Sequence, residues 1–548
     1  MTGVGAEALQ GNIFSLLAWA HGLAAENGAG LGAESCFARQ EDAPDLWCPH
    51  DSVLGVCGLL FGYIIGINGN VVTEGQLICP ADWNGPVGTW TSSGYGQCYH
   101  LSVWDQGILS SLNLIGAMVS SATCFRYADI LGRKKEVQIG AGLYLLGSIV
   151  AALSPVLWGI YAGFLIYGLG IGFAMHAAPV YIAEIAPAEI RGTLVSAKEM
   201  VIVVGMFIGF AMGAVCAGIP QGGWRIMVAL AAIFALIVEV GITFIPNSPR
   251  WLVLRSLQDT SLLQAGQSPM AVEARQALAF FRGASEEDVE PEFSTMLNDA
   301  REASAGAGTS ANCTDTLKYP RPLIIGCGLV FLQQVTGQPS VLYFATNIFK
   351  SAGFAGAAAL SSVGVGFVKL LATLFTVWRV DLYGRRQLLM WGIAMMIFAL
   401  ALLGVAFAFR TCDENVPMAQ CPQEKVNVPR PWAITTVVAL MIYVSGYQVG
   451  FGPISWLMIS EIFPLGVRGS ALSTAAMVNF GSNILMTLCQ TALMNALTPS
   501  GTFFAYLALA VASFAFVSGV VPETKGKTLE EIEAEMTGKT QAREIGAV

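Results

Sequence analysis

Eight side chains fall inside or beside long apolar runs and have the chemistry to hold a polyhydroxylated molecule: Glu199, Gln333, Gln334, Gln338, Lys369, Gln448, Trp456 and Asn479. Polar groups in such runs are costly in a bilayer and are usually functional. Their depth follows from the nearest basic residue at about 1.5 Å per helical residue. Glu199 is eight residues past Arg191, Lys369 ten before Arg379, Asn479 eleven past Arg468 and Trp456 twelve before it. These counts put the four about 12–18 Å deep, near the middle of a hydrocarbon core about 30 Å thick. Gln333 and Gln334 lie about 22 Å from Lys318. Carboxamides donate to and accept from hydroxyls, and an indole packs on an apolar ring face. A single such residue can be glue between helices. The whole set is expected to bind a sugar.

Glu199 and Lys369 have opposite charges at similar depth, so they are expected to face one cavity and to interact directly, through water or through substrate. Glu239 is a second, weaker candidate for an intramembrane carboxylate with a proton-carrying role. His176 also lies in a span and is expected to pack against a backbone carbonyl rather than carry protons. The histidines at 21, 50, 100 and 176 and the twelve cysteines show no metal-ligand spacing. No nucleophile–base pair stands out. Neither an enzyme nor a cofactor is therefore expected. Cys79 with Cys98, and Cys412 with Cys421, lie in expected external loops, where disulfides or free thiols are equally open readings.

The elements that must position these residues are membrane helices. The chain has 548 residues, 54% hydrophobic and 12% charged, with a mean hydropathy of +0.61. A soluble domain carries roughly 25% charge. Twelve apolar runs centre near residues 62, 115, 146, 171, 205, 236, 335, 368, 398, 444, 482 and 511. Basic residues fall in alternate loops: Arg126 and Arg133–Lys135, Arg191, Arg250 and Arg255, Arg385 and Arg386, Arg468, then Lys525 and Lys527. The positive-inside rule places both termini in the cytoplasm. The run IFSLLAWA (13–20) has little basic charge before it, so no cleaved signal peptide is expected. In FGYIIGINGN (61–70), Gly62, Gly66 and Gly69 share one helix face, which lets another helix approach closely.

Short motifs recur. DILGRKK (129–135) echoes DLYGRRQ (381–387), EIAPAEIRG (184–192) echoes EIFPLGVRG (461–469), and PNSPR (246–250) echoes PETKG (522–526). Glu184 to Glu461 and Arg191 to Arg468 are both offset by 277 residues. The duplication predicts an all-α membrane protein of two six-helix bundles with a substrate site at their interface. The expected divisions are a tail 1–51, a bundle 52–250, a linker 251–319 with short helices (one of them 272–283), a bundle 320–522 and a tail 523–548. Asp129 with Arg133, its repeat Asp381 with Arg385, Glu184 with Arg191 and Glu461 with Arg468 are expected to form a charge network at the helix ends. Such a network would select between conformations of a rocking carrier.

These motifs, with QQVTGQPSVLYF (333–344) and GPISWLMISEIFP (452–464), resemble the sugar-porter branch of the major facilitator superfamily over about residues 52–538. GIGFAMHAAPVYIAE (170–184) and YQVGFGPISWLM (447–458) look most like plant vacuolar and plastidic hexose transporters of the xylose–proton-symporter-like type. The resemblance implies alternating access. It also implies sugar-binding roles for Gln333, Gln334, Trp456 and Asn479, and a gate role for Tyr343. Glu199 and Lys369 stand where many relatives have Gln and Asn. Phe480 replaces a frequent Trp, and Pro339 a frequent Asn, with Gln338 as its substitute. Asn247 in PNSPR replaces an acid, which is expected to weaken one ion contact. Proton-coupled relatives usually carry an Asp at Ile64 and an Arg at Phe164, and this chain lacks both. Sugar-driven facilitative transport of a hexose or other monosaccharide is therefore the expectation, with proton symport through Glu199 as the alternative. A non-transporting sugar receptor is disfavoured by the 27-residue tail from Pro522 to Val548. The expected partners are a sugar, the lipid bilayer and, in the symport alternative, protons. Nucleic acid is not expected, and the carrier is expected to act as a monomer. The plasma or vacuolar membrane is expected ahead of the plastid envelope.

Overall fold

The structure, a computed structural model, describes residues 49–72, 76–79, 98–186, 191–219, 222–259, 268–306, 317–343, 358–412, 426–427, 429–463, 468–527, 531–532 and 535–536. The side chains of Asp129, Arg191, Tyr343, Asp381 and Arg468 lie outside the described residues, as does Cys421. In chain order the helices are α1 Pro49–Val71, α2 Val103–Leu131, α3 Arg133–Leu153, α4 Leu157–Ile185, α5 Arg191–Cys216, α6 Gly223–Thr243, α7 Pro249–Asp259, α8 Pro269–Arg282, α9 Glu290–Gly306, α10 Pro320–Val335, α11 Gln338–Tyr343, α12 Ala358–Tyr383, α13 Arg385–Ala408, α14 Arg430–Val449, α15 Phe451–Ile462 and α16 Arg468–Val520. Strands β1 (Thr411–Cys412) and β2 (Val426–Asn427) close one loop as an antiparallel pair.

These helices make twelve membrane crossings in two bundles. The first bundle is α1–α6. In the second, α10 with α11 forms one crossing, α14 with α15 another, and α16 two. Thr498, at φ 62°, breaks α16, and Pro499 begins its second half. Each bundle has its own buried apolar core. Large apolar side chains such as Trp158, Leu360 and Trp378 are exposed on the outside. Such a surface suits lipid and would be a liability in water.

The glycine face of α1 meets α5. A Cβ on Gly62 would sit 1.8 Å from the Ile202 carbonyl oxygen, and one on Gly66 2.4 Å from that of Met206. Backbone lies directly on backbone there, as small-residue faces allow. The helix that opens this bundle is therefore locked to the helix that carries Glu199.

The basic loops gather at one end of the molecule, and the Cys79–Cys98 disulfide marks the other. At the disulfide end Tyr99 donates to the Pro155 carbonyl at 3.2 Å. Arg225 donates to the carbonyls of Ala152 and Ser154 at 2.6 and 2.8 Å. A cation there satisfies carbonyls left open at the C-terminal end of α3. At the arginine-rich end α7, α8 and α9 pack together. α8 begins at Ser268, whose hydroxyl caps the Ala271 amide, and ends at Gly283 in the left-handed region. Arg282 ties it to the Ile185 carbonyl of α4 at 2.8 Å.

Gly62→Val is expected to lower the melting temperature of the detergent-purified protein sharply, because overpacking costs about 1–3 kcal/mol or more. Gly142→Ala, at a position with nothing within 4 Å of a Cβ, should leave it unchanged or slightly raised.

Candidate functional site

Midway along the spans the second bundle breaks two of its helices. α10 stops at Val335, and Gly337, at φ 100°, turns the chain into α11 with the Tyr506 ring against it. α14 stops at Val449, and Gly450 redirects it into α15. Broken helices at membrane depth are tolerated where the freed backbone groups find partners or line a cavity. Here Tyr443 donates to the Thr336 carbonyl at 3.1 Å, and Thr376 to the Gln448 carbonyl at 3.2 Å.

Gln333 joins the two breaks. Its amide nitrogen donates to the Tyr447 hydroxyl at 2.8 Å and to the Phe451 carbonyl at 3.1 Å. Its amide oxygen accepts from Asn479 on α16 at 3.4 Å. Gln334 and Gln338 are buried beside it. Gln448 reaches across to the first bundle, where its amide nitrogen donates to Glu199 at a long 3.5 Å. Trp456 lies under the Lys198 ammonium, 5.8 Å from the ring centroid, again across the bundle interface. Lys369, 1% exposed, holds its ammonium 5.6 Å from the Tyr447 ring. Its charge interacts with that of Glu199. Among the described residues no carboxylate oxygen comes within salt-bridge distance of Lys369; Tyr447, whose ring it faces, and Gln448, which bonds Glu199, are consecutive residues of α14.

All eight side chains read from the sequence thus lie in this one region or at its margin. Two members were missed, Lys198 and Tyr447. Lys198 was overshadowed by its neighbour Glu199. Tyr447 looked like one aromatic among many until the α14 break aimed its hydroxyl at Gln333. The amide oxygens of Gln334 and Gln448 are buried with no hydrogen-bond donor. Buried polar atoms are ordinarily paired, so each orphaned acceptor marks a place where a donor belongs. Phe480, where a Trp was noted as frequent, meets Phe61 of α1 edge to face, centroids 6.4 Å apart. Towards the disulfide end the bundles also touch through Gly107 with Leu488 and Gly366 with Phe207.

Each expected charge pair includes a side chain outside the described residues; among the described residues the arginines of the two G-R motifs have these partners. Arg133 bonds Glu184 at 3.1 Å, and Arg385 bonds Glu461 at 3.0 Å. The arginine of each G-R motif takes the glutamate of the following E…RG segment, because the antiparallel helices bring those ends together. Both pairs stay within one bundle. Gly132 and Gly384, at φ 79° and 90°, make the tight turns that start α3 and α13. In the second bundle Glu523 of PETKG accepts from the backbone amides of Arg385 and Arg386 at 3.0 and 3.1 Å, an acid at a helix N-terminus. Thr524 adds a bond to Glu461 at 2.6 Å. In the first bundle Asn247 instead donates to Glu273 of α8 at 2.7 Å. Where the second half has an acid at its helix start, the first half has an amide that bonds the linker helix. A cavity of about 330 Å³ lies at this end among Arg385, Glu461, Thr524 and Lys525–Lys527. Arg385 bonds Glu461, Lys525 the Leu382 carbonyl and Lys527 the Glu535 carboxylate, and the cavity lies away from the mid-span cluster.

Ile64 and Phe164, at the positions of the usual acid and arginine, are buried in the apolar core. Glu239 has one buried oxygen without a donor. His176 departs from its expected backbone partner: Nδ1 lies 2.6 Å from Oε1 of Glu136 on α3. The acid is 40 residues upstream and is brought close only by the antiparallel packing of α3 on α4.

Residues 52–536 match the family described as Sugar (and other) transporter. The chain is 39% identical to D-xylose-proton symporter-like 2 of Arabidopsis thaliana over 486 residues, 87% of this chain and 88% of that protein. It is 40% identical to the chloroplastic D-xylose-proton symporter-like 3 of the same plant, over 87% of this chain and 80% of that protein. Among solved structures it is similar to the proton:xylose symporter XylE of E. coli bound to 6-bromo-6-deoxy-D-glucose. That match has a TM-score of 0.66 and 25% identity, and it covers 89% of this chain and 98% of that one. With its two bundles and its duplicated Arg–Glu ends, the chain belongs to the sugar-porter family of multi-pass membrane transporters in the major facilitator superfamily.

Proposed function

We propose that the protein carries a monosaccharide across a membrane by alternating access, holding it at the mid-span cluster of Gln333, Gln334, Gln338, Gln448, Trp456 and Asn479 with Glu199 and Lys369 at its edge. The orphaned oxygens of Gln334 and Gln448 carry this reading, because a sugar hydroxyl supplies the donor each lacks. Contributions from both bundles make occupancy sensitive to how the bundles rock. The names of the relatives, D-xylose-proton symporter-like, and the sugar analogue on XylE agree with this substrate class. Tyr343, after the α10–α11 break, takes the gate role by family resemblance. Asp129, Arg191, Asp381 and Arg468 join the two Arg–Glu pairs as a conformational network on the same ground.

Transport is facilitative in this reading. The usual helix 1 acid and its arginine are Ile64 and Phe164, so no proton-carrying charge remains there. Symport through Glu199 is the second reading. The observation that favours it is the carboxylate's one long bond, to Gln448, with no ammonium within salt-bridge distance among the described residues. Both termini face the cytoplasm, and the membrane is the plasma or vacuolar one.

Gln333→Ala removes three bonds and Asn479→Ala one, each worth about 0.5–1.5 kcal/mol. Both variants are expected to raise the half-saturating sugar concentration in proteoliposome uptake, Gln333→Ala by roughly tenfold or more, while inserting normally. Unchanged affinity in both would remove them from the site. Arg133→Ala and Arg385→Ala should slow turnover several-fold with sugar binding intact, since both lie at helix ends away from the cluster. Wild-type turnover in both would make the network ornamental. An imposed proton gradient should drive no uphill accumulation in the wild type. Uphill accumulation that disappears in Glu199→Gln would establish symport instead.

A further inference from the structure

Tyr506, on the second half of α16, grips the α10–α11 break at two points. Its ring lies against Gly337, where a Cβ would sit 2.6 Å from a ring carbon. Gly337, at φ 100°, is the turn itself. The Tyr506 hydroxyl then meets Ser340 of α11 at 2.8 Å and donates to the Gln490 amide oxygen at 2.6 Å. Its one hydrogen goes to Gln490, so Ser340 is the donor in the other bond. Ser340, Tyr506 and Gln490 are all buried. Away from water, these bonds run from α11 through the second half of α16 to its first half.

Tyr506 stands on a fixed post. Just before it, Ser500 donates to the Gly404 carbonyl of α13 at 2.6 Å, and Phe503 packs on Phe407 of α13 with ring centroids 5.2 Å apart. The six-residue helix α11 is shared instead. Val341 is buried in the core of the second bundle, and the next residue, Leu342, in the core of the first. When the bundles part at the disulfide end, α11 must give up one of these two sets of contacts. The Gln490 amide nitrogen is buried with no acceptor. A buried network short of one partner holds less firmly than a complete one, which suits a contact that yields in each cycle.

We propose that Tyr506 is a positioning residue for the external gate: its hydroxyl, oriented by Gln490, fixes the bend that directs Leu342 into the first bundle. The bond to Ser340 thereby favours the state closed at the disulfide end. The proposal rests on the alternating-access reading. Tyr506 acts through α11, the helix that carries Gln338 and Tyr343. Without the hydroxyl the ring still fills the space at Gly337, but the bend is released and the population moves towards the outward-open state.

Leu342→Cys reports the gap between α11 and the first bundle. Its labelling in proteoliposomes by a membrane-impermeant maleimide, followed by peptide mass, needs no sugar. Adding Tyr506→Phe should speed that labelling several-fold. Ser340→Ala should act in the same direction, and combining it with Tyr506→Phe should add nothing, because both break one bond. Leu400→Cys, buried in α13, should stay unlabelled with or without Tyr506→Phe. Unchanged labelling of Leu342→Cys, additive effects of the two changes, or equal speeding at Leu400→Cys overturns the proposal. Sugar uptake gives a readout that needs no introduced cysteine and decides the matter if Leu342→Cys fails to assemble. Tyr506→Phe should lower the half-saturating concentration on the disulfide side and raise it on the arginine-rich side. A residue with only a packing role would reduce the number of active carriers and leave the ratio of the two concentrations unchanged, and an unchanged ratio overturns the proposal. If the wild type carries no sugar, the carrier reading fails, and the labelling alone decides the role of Tyr506.

Discussion

A polar group halfway through a membrane must find a partner inside the protein, and the second bundle is arranged around that demand. Gln333 uses both amide hydrogens and its oxygen to hold Tyr447, Phe451 and Asn479. Those bonds let α10 and α14 break at the same depth without stranding backbone groups. The breaks in turn bring amides and an indole to the interface, where Gln334 and Gln448 keep acceptors that no protein donor reaches. Gln333 thus organises the cluster, and in the proposed carrier its less committed neighbours are the ones with acceptors left to offer a sugar.

The duplicated ends show how one plan diverged. Both halves keep the glycine turn and the Arg–Glu pair. In the second half Glu523 caps α13, so the pair sits on a rigid helix start. In the first half the matching acid is absent and Asn247 binds the linker helix through Glu273. The same edge of the first half carries Glu136 and His176. The two halves are therefore held differently at this end: Glu523 caps the start of α13 in one, and Asn247 reaches the linker helix in the other.

Much of this was legible in the sequence. Twelve apolar runs gave twelve crossings, and counting residues from the basic loops placed Glu199, Lys369, Trp456 and Asn479 at one depth. The glycines of FGYIIG foretold the close meeting of α1 and α5. What could not be read was pairing. Counting gives depth along a helix but not rotation about it or the choice of neighbour. The contact of Arg133 with Glu184, 51 residues away, was therefore not foreseen, and Glu136 gave no sign of reaching His176. Tyr447 was hidden for a related reason: its role depends on the break at Gly450, and a single glycine in an apolar run does not announce a break.

The central claim is that the ligand is a sugar held between the bundles by the groups left unsatisfied at the helix breaks. The most direct measurement is an experimental structure of the protein with a bound monosaccharide. The account predicts sugar density against Trp456, with hydroxyls donating to the amide oxygens of Gln334 and Gln448. Density confined to the cavity near Lys525, or a sugar at the helix breaks that leaves both oxygens without a donor, would contradict it.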